Sequence, residues 1–234
     1  TSARSRILQS TTPPLTVRFS RFALGATGRL RAALSFLARR LSLRTIVYVD
    51  GFNLYYGLLR RSRFKWLDLF ALFQDHVLEV GTQVLEVRFY TAPVLGRLSD
   101  DPESPRRQRC YWQALRKYRP GAVTIIEGKL QASTPVLRLV KPLAAAPDVT
   151  HVQVHDLTEK KTDVNLAADL LCGAWTDAFE QAVLCSNDAD LDHALACVRL
   201  HRPHLRVGLV APVQGRDDRH IAADLKRHAH WAKC

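Results

Sequence analysis

From residue 44 onward the sequence alternates short apolar runs with stretches of helical periodicity, and this alternation constrains the fold more than any other feature. It specifies the strand–helix–strand unit, because a strand can return parallel to its predecessor only across a crossover long enough to hold a helix. Strands are expected at residues 45–49, 84–90, 123–127, 182–185 and 205–210, each short, apolar and bounded by turn formers. Helices are expected at residues 67–80, 104–118, 162–175 and 190–201. The pattern predicts a three-layer α/β/α domain around a mainly parallel five-stranded sheet of order 3-2-1-4-5. Between Gly128 and Glu159 the helical period is lost, and two extended stretches, 136–141 and 149–155, read as a β-hairpin insertion.

The chain has 234 residues, of which 47% are hydrophobic, enough for a substantial core and too many for a wholly disordered protein. Charged residues interrupt every apolar stretch before the roughly 18 to 20 residues that a membrane-spanning helix requires. A soluble protein without a membrane partner is therefore expected. The net charge of +12 suggests nucleic acid until its distribution is read. Residues 1–49 hold nine Arg and no Lys, Asp or Glu, which leaves 25 basic against 22 acidic residues in the remainder, a net of only +3.

Residues 1–43 thus form a basic extension, set apart from a domain at 44–234. Three readings of the extension stand: a basic tail touching RNA or membrane, an organelle-type targeting peptide, or upstream sequence outside the functional product. The absence of Met, at position 1 as elsewhere, favours the third, and no function is placed there. The five cysteines show no C-x-x-C pair, so a structural zinc site is not expected, and Cys172, Cys185 and Cys197 sit among small apolar residues like buried free thiols. A reducing compartment, by default the cytoplasm, is the natural expectation. A homodimer is compatible with the sequence.

In an open parallel sheet, ligands bind beyond the carboxyl ends of the strands, where loops and helix N-termini converge. Polar residues directly after apolar strands should therefore carry the chemistry. The first strand runs into Asp50-Gly51-Phe52-Asn53 and the fourth into Ser186-Asn187-Asp188-Ala189-Asp190. A third acid, Asp163, lies in the first turn of the helix at 162–175, with Thr162 as its expected N-cap. Carboxylates gathered at one rim repel one another strongly unless a cation intervenes. An all-oxygen donor set favours Mg²⁺ or Mn²⁺ over zinc. Such an ion activates water and offsets charge on phosphoryl oxygens, the chemistry of phosphodiester hydrolysis.

Three stretches carry a resemblance: Val49-Asp50-Gly51-Phe52-Asn53-Leu54-Tyr55-Tyr56-Gly57, Lys161-Thr162-Asp163-Val164-Asn165-Leu166-Ala167, and Ser186-Asn187-Asp188-Ala189-Asp190-Leu191. Together and in this order they resemble the signature stretches of the NYN domain, of the PIN-like nuclease superfamily, which includes the LabA-like bacterial proteins. The resemblance spans about residues 44–230. It implies that Asp50, Asp163 and Asp188 bind metal, that Asp190 completes a catalytic acidic cluster, that Asn53 holds the first loop or touches phosphate, and that the substrate is RNA. Ser186 and Asn187 are expected beside the substrate, and Asn187 stands where many members have Gly. Asp192 and Glu159 are accessory acids of lower rank.

Each motif also has a plainer reading. Asp50-Gly51 alone is an ordinary strand-ending turn, Asp163 alone a first-turn acid stabilised by the helix dipole, and Asp169 as readily a salt-bridged acid as a site residue. The helix at 104–118 and its C-terminal flank bring Arg106, Arg107, Arg109, Arg116, Lys117 and Arg119 together with Tyr111 and Trp112, either a stacking-capable RNA track or a solvated face. The expectation is a metal-dependent ribonuclease, with Arg109 and Arg116 touching substrate; the alternative is a catalytically silent RNA-binding or scaffold module of the same fold. A phosphatase of the D-x-D type and a P-loop enzyme are disfavoured, because neither motif is present.

Overall fold

The strand that carries Asp50, β1 (Leu43–Asp50), lies at the centre of the sheet, hydrogen-bonded in parallel on one side to β2 (Thr82–Thr91) and on the other to β8 (Gln181–Cys185). The computed structural model describes residues 42–96, 101–215 and 221–234, so the extension up to residue 41 lies outside the described residues. Beyond β2 comes β3 (Val123–Glu127), and beyond β8 come β9 (Arg206–Val210) and β10 (Trp231–Lys233), giving a six-stranded sheet of order β10-β9-β8-β1-β2-β3. Leaving aside β10, the other five strands have the expected 3-2-1-4-5 order, and all neighbours are parallel. The sixth strand is an addition to the expected sheet. Three residues carry too little pattern to be read as a strand, but Trp231 packs over Gly208, where a β-carbon would collide with its ring, and its Nε1 donates to Gln181 Oε1 at 3.1 Å.

Both faces of β1 are buried, which is why it reads as a continuous apolar run. Ile46 and Tyr48 point into one core and Val47 and Val49 into the other. The first core is closed by α4 (Thr162–Trp175) and α5 (Asp192–His201), through Leu166, Leu170, Leu195 and Val198. The second is closed by α1 (Gly51–Leu54) with its wider-wound continuation Tyr55–Leu59, by α2 (Leu69–Ala71) with Leu72–Val77, and by α3 (Ser104–Tyr118). The helix expected at 67–80 is thus shorter, whereas those at 104–118 and 162–175 have the expected bounds.

The insertion is a longer excursion than a single hairpin. The strands β4 (Lys129–Ser133) and β7 (Asp156–Lys160) pair antiparallel at its base, and β5 (Val136–Arg138) and β6 (His151–Gln153) pair antiparallel further out. A short α6 (Ala223–Lys226) precedes β10. Among the described residues, no helix is long and apolar enough to cross a membrane.

Candidate metal centre

Strand alternation places Asp50 on the side of Ile46 and Tyr48, the side covered by α4. The carboxylate is 4% exposed, and it also caps α1: Oδ1 accepts from the Asn53 backbone N–H at 2.9 Å, while Oδ2 accepts from Ser186 Oγ at 2.9 Å. Gly51 must follow it, since a β-carbon there would lie 2.6 Å from the Tyr90 carbonyl oxygen on the neighbouring strand.

The loop after β8 is fixed to the same point. Ser186 Oγ accepts from the Asp188 backbone N–H at 3.1 Å while donating to Asp50. Asn53 Oδ1 accepts from the Asn187 N–H at 3.1 Å, and Asn187 Oδ1 accepts from the Ala222 N–H at 2.8 Å. The side chains of Asn53 and Asn187 therefore knit the ends of β1 and β8 to each other and to the segment before α6. Ser186 is fully buried and lies beneath Asp50 as its hydrogen-bond donor.

Asp163 enters from the first turn of α4. Here one expectation is corrected. Thr162 does not cap the helix; the cap position is Lys161, in the left-handed conformation with φ 79°, and Thr162 is buried as the first helical residue. The tight reversal from β7 into α4 brings Thr162 against Gly128, where a side chain would clash with its hydroxyl.

The result is that one carboxylate oxygen from each of Asp50, Asp163 and Asp188 lies within 4.8 Å of the others. Two oxygens on one Mg²⁺ are separated by at most about 4.2 Å, twice the ~2.1 Å bond length, so a small side-chain rotation would bring the set into range. The donor chemistry, three hard oxygens from three separate segments, fits Mg²⁺ or Mn²⁺. Electrostatics agree with the geometry. Burial raises the Asp50 pKa, with the Asp188 charge adding to it, while the hydrogen bonds from Asn53 and Ser186 oppose it. Burial also raises Asp163, followed by the charges of Asp50, Asp188 and Asp190. Asp190 is exposed beside this group, its N–H bonded to Asp188 Oδ1 at 3.0 Å.

A further acid, which the sequence ranked low, lies close enough to feel the charge of this group. Glu159, on β7, is pushed up to about 7, first by burial and then by the charges of Asp50 and Asp163, with a hydroxyl contact from Thr162 opposing. Asp192 instead pairs with Arg227 at 2.9 Å and His228 at 3.0 Å, and Asp169 Oδ2 accepts from the Tyr90 hydroxyl at 2.8 Å, so both carboxylates have partners of their own.

Of the two readings left open for α3, the stacking one finds both of its rings engaged within the domain. Trp112 is buried in the second core, and Tyr111 donates its hydroxyl to the Leu67 carbonyl at 2.7 Å. Arg106 pairs with Glu103, Arg107 with Asp101, Arg116 with Glu127, and Arg119, just past the helix, with Asp68. Arg109 and Arg116 do line a cleft of about 250 Å³ with Pro93, Val94 and Glu127, beside the carboxyl ends of β2 and β3.

Fold and site together define a doubly wound α/β domain with a carboxylate cluster at the strands' carboxyl ends, capable of holding a divalent cation. The chain belongs to the NYN domain family, whose model matches residues 44–231, and NYN domains fall within the PIN-like nuclease superfamily. It is 33% identical over 208 residues to 6-hydroxy-3-succinoylpyridine 3-monooxygenase HspA of Pseudomonas putida, a match covering 82% of this chain and 66% of that protein, just under two thirds of its length. The crystal structure of a protein of unknown function from Vibrio parahaemolyticus aligns with a TM-score of 0.49 and 14% identity, across 82% of this chain and 93% of that one.

Proposed function

We propose that this chain is a metal-dependent ribonuclease that hydrolyses RNA phosphodiester bonds. The observation that carries the reading is the convergence of Asp50, Asp163 and Asp188, from three distant segments, on a span of 4.8 Å. In this reading the three carboxylates hold Mg²⁺ or Mn²⁺. The bound ion supplies Lewis-acid activation of water and charge neutralisation at the phosphoryl oxygens. Ser186 and the Asn53 N–H fix the direction of Asp50, and the Asn53–Asn187 contact keeps the β1 and β8 loops at the separation the site needs. Asp190 completes the cluster from its exposed position. Glu159, its carboxyl pushed up to about 7 by burial, is partly protonated near neutral pH, and positive charge in the cluster would favour its ionised form. Arg109, and Arg116 on release from Glu127, meet phosphates of the bound strand from the walls of their cleft.

The test is cleavage of end-labelled single-stranded RNA and DNA with Mn²⁺ or EDTA, comparing the natural chain with Asp188→Asn. Products with RNA and Mn²⁺, none with EDTA, and a loss of at least about a hundredfold in the variant are expected. Retention of RNA without products under every condition would instead identify a silent binding module.

The identity to HspA brings a second reading, monooxygenation of a hydroxypyridine acid. The same preparation incubated with 6-hydroxy-3-succinoylpyridine, oxygen and a two-electron donor decides it. Turnover there, with intact RNA in the parallel assay, would replace the ribonuclease reading.

A further inference from the structure

Directly after the site, the segment at residues 51–67 contains no acid and carries Arg60, Arg61, Arg63 and Lys65 interleaved with Tyr55, Tyr56, Phe64 and Trp66. All eight of these side chains are exposed. Solvent is an unfavourable place for large rings, and Tyr56, Phe64 and Trp66 are each more than half exposed, at 58%, 54% and 57%. They are not isolated. Arg60 lies over the Tyr56 ring at 5.5 Å and Arg63 over Phe64 at 5.1 Å, Tyr55 and Tyr56 meet edge to face at 5.3 Å, and Trp66 meets Tyr111 edge to face at 6.0 Å. Trp66 also walls a groove of about 360 Å³ with Leu67, Tyr118 and Arg119.

The charges differ in kind from those of three arginines on α3. There, Arg106, Arg107 and Arg116 are each matched by a carboxylate. Arg60, Arg61 and Arg63 make no ion pair with any described residue, so their charge is available to an anion. Rings that offer a face for stacking, with free guanidinium groups between them, fit a strand whose bases are unpaired and whose backbone is anionic. A duplex would present neither free base faces nor a spacing set by single rings.

Position decides the occupant. The segment begins at Asp50 itself, through α1 and its wider-wound continuation, so Arg60 stands about 15 Å or less from Asp50 at ~1.5 Å per residue. About four stacked nucleotides at ~3.4 Å each cover that distance. A carboxylate cluster repels a polyanion, and an adjoining uncompensated basic stretch offsets that repulsion where the strand must approach.

We propose that Tyr55, Tyr56 and residues 60–66 form the binding track for single-stranded RNA, leading the strand away from the acidic cluster. The proposal rests on RNA as the substrate, and its test reads binding in EDTA, apart from cleavage. A short fluorescent single-stranded oligoribonucleotide is titrated with the full chain, and anisotropy is followed over a series of salt concentrations. Phe64→Ala and Trp66→Ala each weaken binding roughly tenfold. The pair Arg61→Ala and Arg63→Ala lowers the slope of log affinity against log salt by about 1.4, at ~0.7 per phosphate contact, while Arg61→Lys and Arg63→Lys together keep it. Unchanged melting temperatures exclude misfolding, since all four positions are exposed.

Equal affinity in the natural chain and the aromatic variants overturns the track, even if the chain cleaves RNA. So does loss, in the variants, of binding to phosphatidylserine vesicles or of self-association with RNA affinity untouched. Track-dependent RNA binding with no cleavage upholds the track and sinks the nuclease.

Discussion

Asp50 has two functions that pull against each other. As the cap of α1 and the acceptor for Ser186 it is a structural group, held in one rotamer by two hydrogen bonds; as a candidate ligand it must stay charged in a buried place. The Asn substitution separates these functions. Asp50→Asn keeps a side-chain oxygen to accept from Asn53, so the melting temperature should hold to within a few degrees while Mn²⁺-dependent cleavage falls by at least about a hundredfold. Asp50→Ala removes the cap as well and should cost an additional ~1 kcal/mol in denaturant unfolding. Glu159 gives a pH prediction. Its folded-state pKa of about 7 exceeds its ordinary 4.5, so between those values the folded chain binds the proton more tightly than the unfolded chain does. Stability contributed by Glu159 is therefore present at low pH and lost as pH rises through about 7. In EDTA the melting temperature should fall across this window, and Glu159→Gln should flatten the fall. A rise across the same window would contradict the placement. Asp50, Asp163 and Asp188 were legible in the sequence because each follows a strand or opens a helix at a known rim. Glu159 was not, because on an alternating strand of an exposed insertion it looks like any solvated acid, and its burial arises only when Lys161 turns the chain back into α4.

Elements differ in how much of themselves the sequence reveals. α3 has its expected bounds because Pro105 opens it and Arg119-Pro120-Gly121 closes it, yet its face was ambiguous: Trp112 could as well have stacked on a ligand as filled the core. Only the neighbouring strands decide, by presenting Val87, Phe89 and Val123 to the same core. Trp112→Ala should accordingly cost about 3–5 kcal/mol in chemical denaturation, a core-sized loss. An effect below about 1 kcal/mol would return Trp112 to the surface. The wide turns after α1 have a local cause of another sort. Gly57 passes so close to the Pro212 carbonyl that a β-carbon would overlap its oxygen, and that oxygen belongs to backbone, which cannot swing aside. Gly57→Ala should therefore destabilise by about 1–3 kcal/mol and, by shifting Tyr55 and Tyr56, weaken whatever lies on them. The strand β10 escaped notice because its support, the packing of Trp231 over Gly208, is a contact between strands and not a periodicity within one.

At the scale of the molecule, the topology does most of the work. A strand order that reverses at β1 leaves the β1 and β8 loops side by side, and the crossover through the insertion delivers α4 with its N-terminus toward the same rim. The domain charge is nearly balanced, so what matters is its partition: Arg106, Arg107 and Arg116 of α3 are matched by carboxylates, whereas Arg60, Arg61 and Arg63 near the acidic rim have no ion pair among the described residues. Because a bound ion would relieve repulsion present in the folded chain alone, Mn²⁺ should raise the melting temperature in a concentration-dependent way. The most direct test is isothermal titration of Mn²⁺ into the natural chain and into Asp50→Asn, Asp163→Asn and Asp188→Asn at neutral pH. A saturable site is expected in the natural chain, weakened at least tenfold by each substitution. Equal Mn²⁺ affinity in all four proteins, or none in the natural chain, would contradict it.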